Sequence, residues 1–370
     1  MQSILQIKPS FGKEESDAVA EYILSGGWLT EFEKTKEFEQ KIVEFLGVKH
    51  CFAVPSGTMA LTIACMALDI GWGDEVLVPA ITMVATANAP LMLDTEVRLV
   101  EINSSGCMDL TDTLDSISLN TKAIIYVSLN GRAEDLDILQ LECKRKGIYL
   151  IEDACQSLGS LCNNRYLGTM GDIGCFSLSP HKIISTGQGG LIVTNNDKLA
   201  GKIRRLKNFG RDSGGKDIHP EFGINAKFTD LQAVVGLEQL KKLPEKIQRK
   251  KDVFHRYRYL LRDVRELSFI DTNLIETAPW MVDVYGKNIK ELAFHLDIHG
   301  IQTRFMYPPL YTQPYFKSGR NNMEMANGFG KTGLWLPSAV TDEEIDAICN
   351  CVKEFYDAGS NLSSGTGDKA

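Results

Sequence analysis

The chain has 370 residues, 44% of them hydrophobic, and a formal net charge of −8 at pH 7. This length holds one large domain and a smaller one, and the composition is that of an ordinary globular protein. The acidic balance argues against a nucleic-acid surface, which needs a basic face. The longest apolar stretch, Val76 to Leu93, is broken by Pro79, Asn88 and Pro90 and does not fit a membrane span.

Two helices are predicted first, Lys13 to Leu24 and about Glu31 to Leu46. The second carries Phe38, Ile42, Phe45 and Leu46 on one stripe and stops at Gly47. Short apolar strands follow at Cys51–Val54, Glu75–Val78, Val97–Glu101, Ala123–Ser128, Tyr149–Ile151, Ile173–Leu178 and Leu191–Thr194. Helices between them start near Gly57, Val84, Leu110 and Asp135. The alternation predicts a doubly wound α/β layer with a mostly parallel sheet, whose ligands gather at the carboxyl ends of the strands. From about Leu243 the character changes. A long helix, roughly Pro244 to Val264, leads into short elements reaching Phe355, a smaller C-terminal α+β domain. The division expected is 1–243, 244–358, and a small, polar, disordered tail at 359–370.

Lys182 lies between glycine-rich turns in Gly171-Asp-Ile-Gly-Cys-Phe-Ser-Leu-Ser-Pro-His-Lys182-Ile-Ile-Ser-Thr-Gly-Gln-Gly-Gly190. A lone lysine is usually a solvated charge. One held after an apolar strand is also suited to be a buried amine that forms a Schiff base. Upstream, Tyr149-Leu-Ile-Glu-Asp153-Ala-Cys-Gln156 is an apolar strand ending in acids. A carboxylate there could keep the ring nitrogen of pyridoxal phosphate (PLP) protonated, as an electron sink requires. Ser56-Gly57-Thr58 follows a strand and opens a helix. It reads either as a plain N-cap or as a phosphate site at a helix N-terminus.

With Gly27-Trp-Leu-Thr30, Gly73-Asp-Glu-Val-Leu-Val-Pro79 and Thr229-Asp-Leu-Gln-Ala233, these segments resemble, in order and spacing, the DegT/DnrJ/EryC1/StrS sugar aminotransferases over about Phe11 to Phe355. The resemblance implies the aspartate-aminotransferase-like PLP fold, with a seven-stranded sheet. It also implies amino transfer from an amino acid, commonly glutamate, to a nucleotide-linked keto-sugar, best a 4-keto-6-deoxyhexose, with the cofactor cycling through pyridoxamine phosphate (PMP). By resemblance Lys182 and Asp153 are catalytic. Ser56, Gly57, Thr58 and Ser177 hold the phosphate, and Gln156 sits beside the cofactor's phenolic oxygen. Asn225 reaches the phosphate of a neighbouring subunit, which makes the protein a homodimer with shared sites. Trp28, Thr30, His181, Lys227, Tyr307 and Tyr311 fall on the substrate side. Met83 stands where the family stacks an aromatic residue on the ring, Lys227 where arginine is common, Gln188 where glutamate is common, and Tyr311 where histidine is common. Ser128-Leu-Asn130-Gly replaces a frequent His-Leu-Tyr-Gly on the same side. Two other readings remain open on the same fold: a sugar dehydratase, in which histidine takes the lysine's place, and a non-catalytic PLP-binding regulator.

Met1 to Glu15 lacks the apolar run of a signal peptide. The nine cysteines form no C-x-x-C pair, so reduced thiols and a cytoplasmic location are expected. His295 and His299 have the i, i+4 spacing that grips a metal on a helix, but no further ligand is near in sequence. Cys349-Asn-Cys351 is too tight to make a zinc site alone. No metal is expected.

Overall fold

The computed structural model describes residues 3–212, 217–316 and 323–364, with side chains to 358. Two helices, α1 (Lys13–Leu24) and α2 (Glu33–Leu46), precede the sheet. The stripe of α2 is buried as the periodicity demands, and Gly47 ends the helix in the left-handed region at φ 68. The start of α2 is fixed from far along the chain. The buried Asp230 carboxylate accepts the N–H groups of Phe32, Lys34 and Thr35 at 2.7–2.9 Å. A carboxylate satisfies the orphan donors of a helix N-terminus and suits its dipole, so this acid of the Thr229-Asp-Leu-Gln-Ala233 segment serves the fold.

The large sheet comprises β1 (His50–Val54), β2 (Glu75–Pro79), β3 (Glu96–Val100), β4 (Thr121–Val127), β5 (Tyr149–Asp153), β8 (Ile173–Ser177) and β9 (Gly190–Thr194). A small hairpin, β6 (Leu161–Cys162) and β7 (Arg165–Tyr166), lies between β5 and β8. The strand order is β1-β9-β8-β5-β4-β2-β3. Only β9 runs against its neighbours, so the sheet is mostly parallel. Its strands are buried nearly throughout, because helices α3 (Gly57–Ala67), α4 (Ala85–Leu91), α5 (Leu110–Asp115), α6 (Leu136–Lys146), α7 (Asp197–Leu206) and α8 (Asp230–Lys241) flank it. Every predicted strand is present, with ends moved by one or two residues.

The long α9 (Leu243–Leu260) leads to a four-stranded antiparallel sheet, β10 (Leu267–Phe269), β11 (Val282–Gly286), β12 (Arg304–Phe305) and β13 (Gly333–Leu336), in the order β10-β11-β13-β12. With α10 (Ile289–Ile298), α11 (Glu324–Thr332) and α12 (Asp342–Ser364) it forms the second layer. Phe254, Tyr257, Leu292, Leu296, Ile345, Ile348 and Val352 make its core. Two findings depart from the expected division. Ile4 pairs with Ile301, so the first described residues lie on this second unit. The backbone of 359–364 is helical where composition suggested a disordered tail, because α12 simply continues; residues 365–370 lie outside the described residues.

The two units share one apolar cluster, in which Trp280, Met281 and Trp335 join large-sheet residues such as Val78 and Ile125, and a polar seam runs beside it. Arg132, buried, donates twice to the buried Asp283 carboxylate on β11, at 3.2 and 2.5 Å. The Asn130 side-chain amide both donates to and accepts from the Met281 backbone, at 3.1 and 2.6 Å. Asn130 reaches it from the left-handed region, φ 54, which asparagine tolerates. Its side chain is therefore committed to the seam, not to the substrate side expected for this segment.

Candidate active site

Strand β5 ends in two carboxylates that alternation sends to opposite faces. Glu152 is fully buried and accepts N–H groups from Gly168, Met170 and Gly171 at 2.6–2.7 Å, while burial raises its pKa. Asp153 faces the other way. Its Oδ2 accepts the Thr86 hydroxyl at 2.7 Å, and Thr86 in turn pairs with Thr82 at 2.8 Å. Its Oδ1 accepts the Cys155 N–H at 3.2 Å. Thr86 was not anticipated; its signal was the Thr82-x-x-x-Thr86 spacing leading into α4.

Lys182 follows β8 on a turn closed by its own N–H to Ser179. Its amine makes no hydrogen bond or ion pair among the described residues and lies 3.9 Å from the centre of the Trp280 ring. Loss of water drives its pKa down from 10.5 to about 8, with Arg304 adding to the fall and Cys155 and Asp153 opposing it. Trp280 donates to the His181 carbonyl at 2.7 Å and packs beside the His181 ring, at 5.6 Å between centroids. Burial and the cations Lys182 and Arg304 drive His181 down to about 4, so its imidazole is neutral near pH 7. Arg304, stacked over Tyr307 and Trp335, and Trp280 both come from the second unit. No local pattern near Lys182 could have revealed either.

The tip of α3 closes the pocket. Ser56 caps the helix by accepting the Met59 N–H at 3.2 Å, leaving the N–H groups of Gly57 and Thr58 at the end. A Cβ on Gly57 would lie 2.8 Å from Cys155 Sγ and 3.0 Å from Ser177 Cβ. A Cβ on Gly190 would lie 2.4 Å from the Ser56 carbonyl oxygen. These close approaches press a helix N-terminus against Ser177 and the Asp153–Cys155 turn. Cys155 is kept as a neutral thiol by burial and the Asp153 charge. The set fits PLP on its own chemistry: a desolvated amine without an acceptor, a carboxylate beside it, and open backbone N–H groups for a phosphate.

The remaining predicted residues divide. Gln156 is buried and accepts the Asn130 N–H at 2.9 Å. Tyr307 is buried, and Arg304, Asp153 and Cys155 all act on its hydroxyl, so it faces this pocket. Tyr311 is partly buried against the core, its hydroxyl turned toward the Met323 carbonyl at 3.5 Å. Met83, Trp28, Thr30 and Asn225 are exposed, and Lys227 lies over the Phe209 ring at 5.2 Å. Within the chain none of these five hydrogen-bonds to Asp153, Ser177 or Lys182.

A doubly wound sheet with such an amine, carboxylate and helix tip at its strand ends defines a PLP-dependent enzyme of the aminotransferase type. Residues 9–353 match the DegT/DnrJ/EryC1/StrS aminotransferase family, and the chain belongs to it. The chain is 31% identical over 344 residues to the GDP-perosamine synthase of Vibrio cholerae, covering 90% of this chain and 94% of that one. Among solved structures, Spr1654 of Streptococcus pneumoniae in its PMP form is 25% identical, with a TM-score of 0.92 over 98% of this chain and 100% of that one. That protein also has a PLP form. DesV of S. venezuelae is 27% identical, with a TM-score of 0.87 over 92% of this chain and 94% of that one. The protein is a PLP-dependent sugar aminotransferase. No helix among the described residues is long and apolar enough to cross a membrane.

Proposed function

We propose that the protein transfers an amino group from glutamate to a nucleotide-linked 4-keto-6-deoxyhexose, for amino-sugar and polysaccharide biosynthesis in the cytoplasm. The GDP-perosamine synthases at 30–31% identity favour a nucleotide-linked sugar, and nine unpaired cysteines suit a reducing compartment. The carrying observation is the bare, desolvated Lys182 amine beside Asp153. When bound, PLP supplies the electron sink for breaking a bond at the amino carbon. Lys182 attaches the cofactor and, once released, moves protons as base and acid, a task suited to an amine that titrates near 8. Asp153, steadied by Thr86, holds the proton at the ring nitrogen. The tip at Ser56, Gly57 and Thr58, with Ser177, takes the phosphate, and Gln156 and Met83 flank the ring. His181, Tyr307 and Tyr311 face substrate, joined by Trp28, Thr30 and Lys227.

We place the catalytic unit in a homodimer, with a PLP-binding domain at 1–243, whose first residues cross onto its neighbour, and a small domain at 244–358. Trp28, Leu29, Phe32, Phe209 and Phe222 are exposed around a segment tied together by Glu31, which accepts from Lys207 and from the Phe228 N–H. Exposed apolar clusters of this kind mark interfaces. Asn225 lies exposed in that segment, ready to complete the neighbour's phosphate site. The lyase reading is less favoured, since His181 packs on Trp280 while Lys182 offers the free amine.

The test is to add glutamate to the holoenzyme. The visible absorbance of lysine-bound cofactor should give way to the pyridoxamine form with stoichiometric 2-oxoglutarate. A 4-keto-6-deoxyhexose nucleotide should then restore the absorbance and yield an amino sugar. A deoxy-keto product without nitrogen would establish the lyase instead.

A further inference from the structure

The His295/His299 pair gains in three dimensions what it lacks in sequence. Cys351, on α12, packs against the face of α10 that carries both histidines. A ring nitrogen of each histidine and the Cys351 sulfur lie within 4.8 Å of one another. Ligands of a tetrahedral ion with metal–nitrogen bonds of about 2.0 Å and metal–sulfur bonds of about 2.3 Å sit roughly 3.3–3.6 Å apart, within a small side-chain rotation of this arrangement.

Two hydrogen-bonding facts point the same way. His299 Nδ1 lies 2.8 Å from the His295 carbonyl oxygen. A carbonyl only accepts, so the proton is on Nδ1 and Nε2 keeps its lone pair. An outer hydrogen bond to a backbone carbonyl is how metal-binding histidines are commonly oriented. His295 Nε2 is buried without a hydrogen-bond partner, while the Cys351 backbone acts on the same imidazole. A buried polar nitrogen left unpaired is costly, and native structures rarely tolerate one without a reason. Cys351 is itself buried, one turn before Glu354, whose charge acts on both Cys351 and His295.

We propose that His295, His299 and Cys351 form a three-ligand transition-metal site on the small domain, with water completing the coordination. Two imidazoles and a thiolate suit a borderline-soft ion of tetrahedral preference, Zn²⁺ before Mg²⁺ or Ca²⁺. Binding releases the Cys351 thiol proton to solvent and pins α12 to α10, away from the PLP pocket. The site holds the domain's last helix in place.

The experiment uses the PLP-loaded enzyme, treated with a chelator, desalted and titrated with Co²⁺. Intense d–d bands of a tetrahedral, thiolate-bound ion should appear at longer wavelength than the cofactor absorbs, saturate at a single ion per chain, and vanish on adding Zn²⁺. His299→Ala removes an exposed side chain, so circular dichroism should be unchanged. It should lose the bands and bind Co²⁺ more weakly by at least the roughly 10–100-fold that follows loss of a mere outer-sphere partner. Cys351→Ser should lose the thiolate signature with the fold intact. Absence of the bands in the parent enzyme, or their survival in His299→Ala, would overturn the assignment.

Discussion

The state of the Lys182 amine gives the sharpest quantitative test. Loss of water takes it from 10.5 to about 8. At neutral pH that raises the neutral, nucleophilic fraction by roughly 300-fold, since each pH unit is a factor of ten. The cofactor-free enzyme should therefore capture PLP at a rate that climbs about tenfold per pH unit below 8 and levels off above it. The sign follows from the reactive form being the deprotonated one: lower pH adds protons to Lys182 and slows capture. Stopped-flow absorbance from pH 6 to 10 measures this, with free acetyl-lysine and PLP in the same buffers as the reference for an unburied amine. Asp153 opposes the fall, so Asp153→Asn should move the levelling point to lower pH even as it cripples turnover. If capture by the enzyme kept rising to pH 10 as the reference does, the amine would be hydrated and the reasoning wrong.

Lys182→Ala should abolish the visible absorbance of lysine-bound cofactor and turnover while leaving circular dichroism unchanged, because it trims one side chain in a pocket. Mixing inactive Lys182→Ala protein with an inactive Asn225→Ala protein should restore part of the activity, since one site of each hybrid holds both intact residues. Full activity from a monomer at low concentration would contradict the shared site. At the seam, Arg132→Met leaves Asp283 buried and unpaired and should cost about 3–5 kcal/mol in denaturant unfolding, whereas Arg132→Met with Asp283→Leu should recover most of it.

What the sequence disclosed is what short-range chemistry dictates. The stripe of α2 and the apolar strand runs declare themselves, because burying one face of a helix or both faces of a parallel strand imposes a period that any register preserves. The positions of Lys182, Asp153 and Ser56 to Thr58 were legible because each lies at a strand end or in the turn after it. Trp280 and Arg304, which shape the Lys182 pocket, arrive from the segment around the second sheet, and nothing local marks them. Asn130 was expected toward substrate but is spent on the Met281 backbone, a choice made only when the two sheets meet. His295 and His299 were visible as a pair, yet their third companion, Cys351, lies beyond two intervening strands and a helix. The start of α2 at Glu33, two residues later than expected, is set by Asp230 near the opposite end of the large domain.

The paired acids of β5 have a consequence for how the chain folds. Because Glu152 and Asp153 point to opposite faces, a slip of one residue along β4 and β8 would exchange them. The Gly168–Gly171 loop would then lose its acceptor and strand three backbone donors, at about 1–3 kcal/mol each if left dry. That penalty arises in the protein alone, before any cofactor arrives. The central strand is thus proofread by a structural carboxylate one position away from Asp153, and the placement of Asp153 is settled by the misalignment its neighbour forbids.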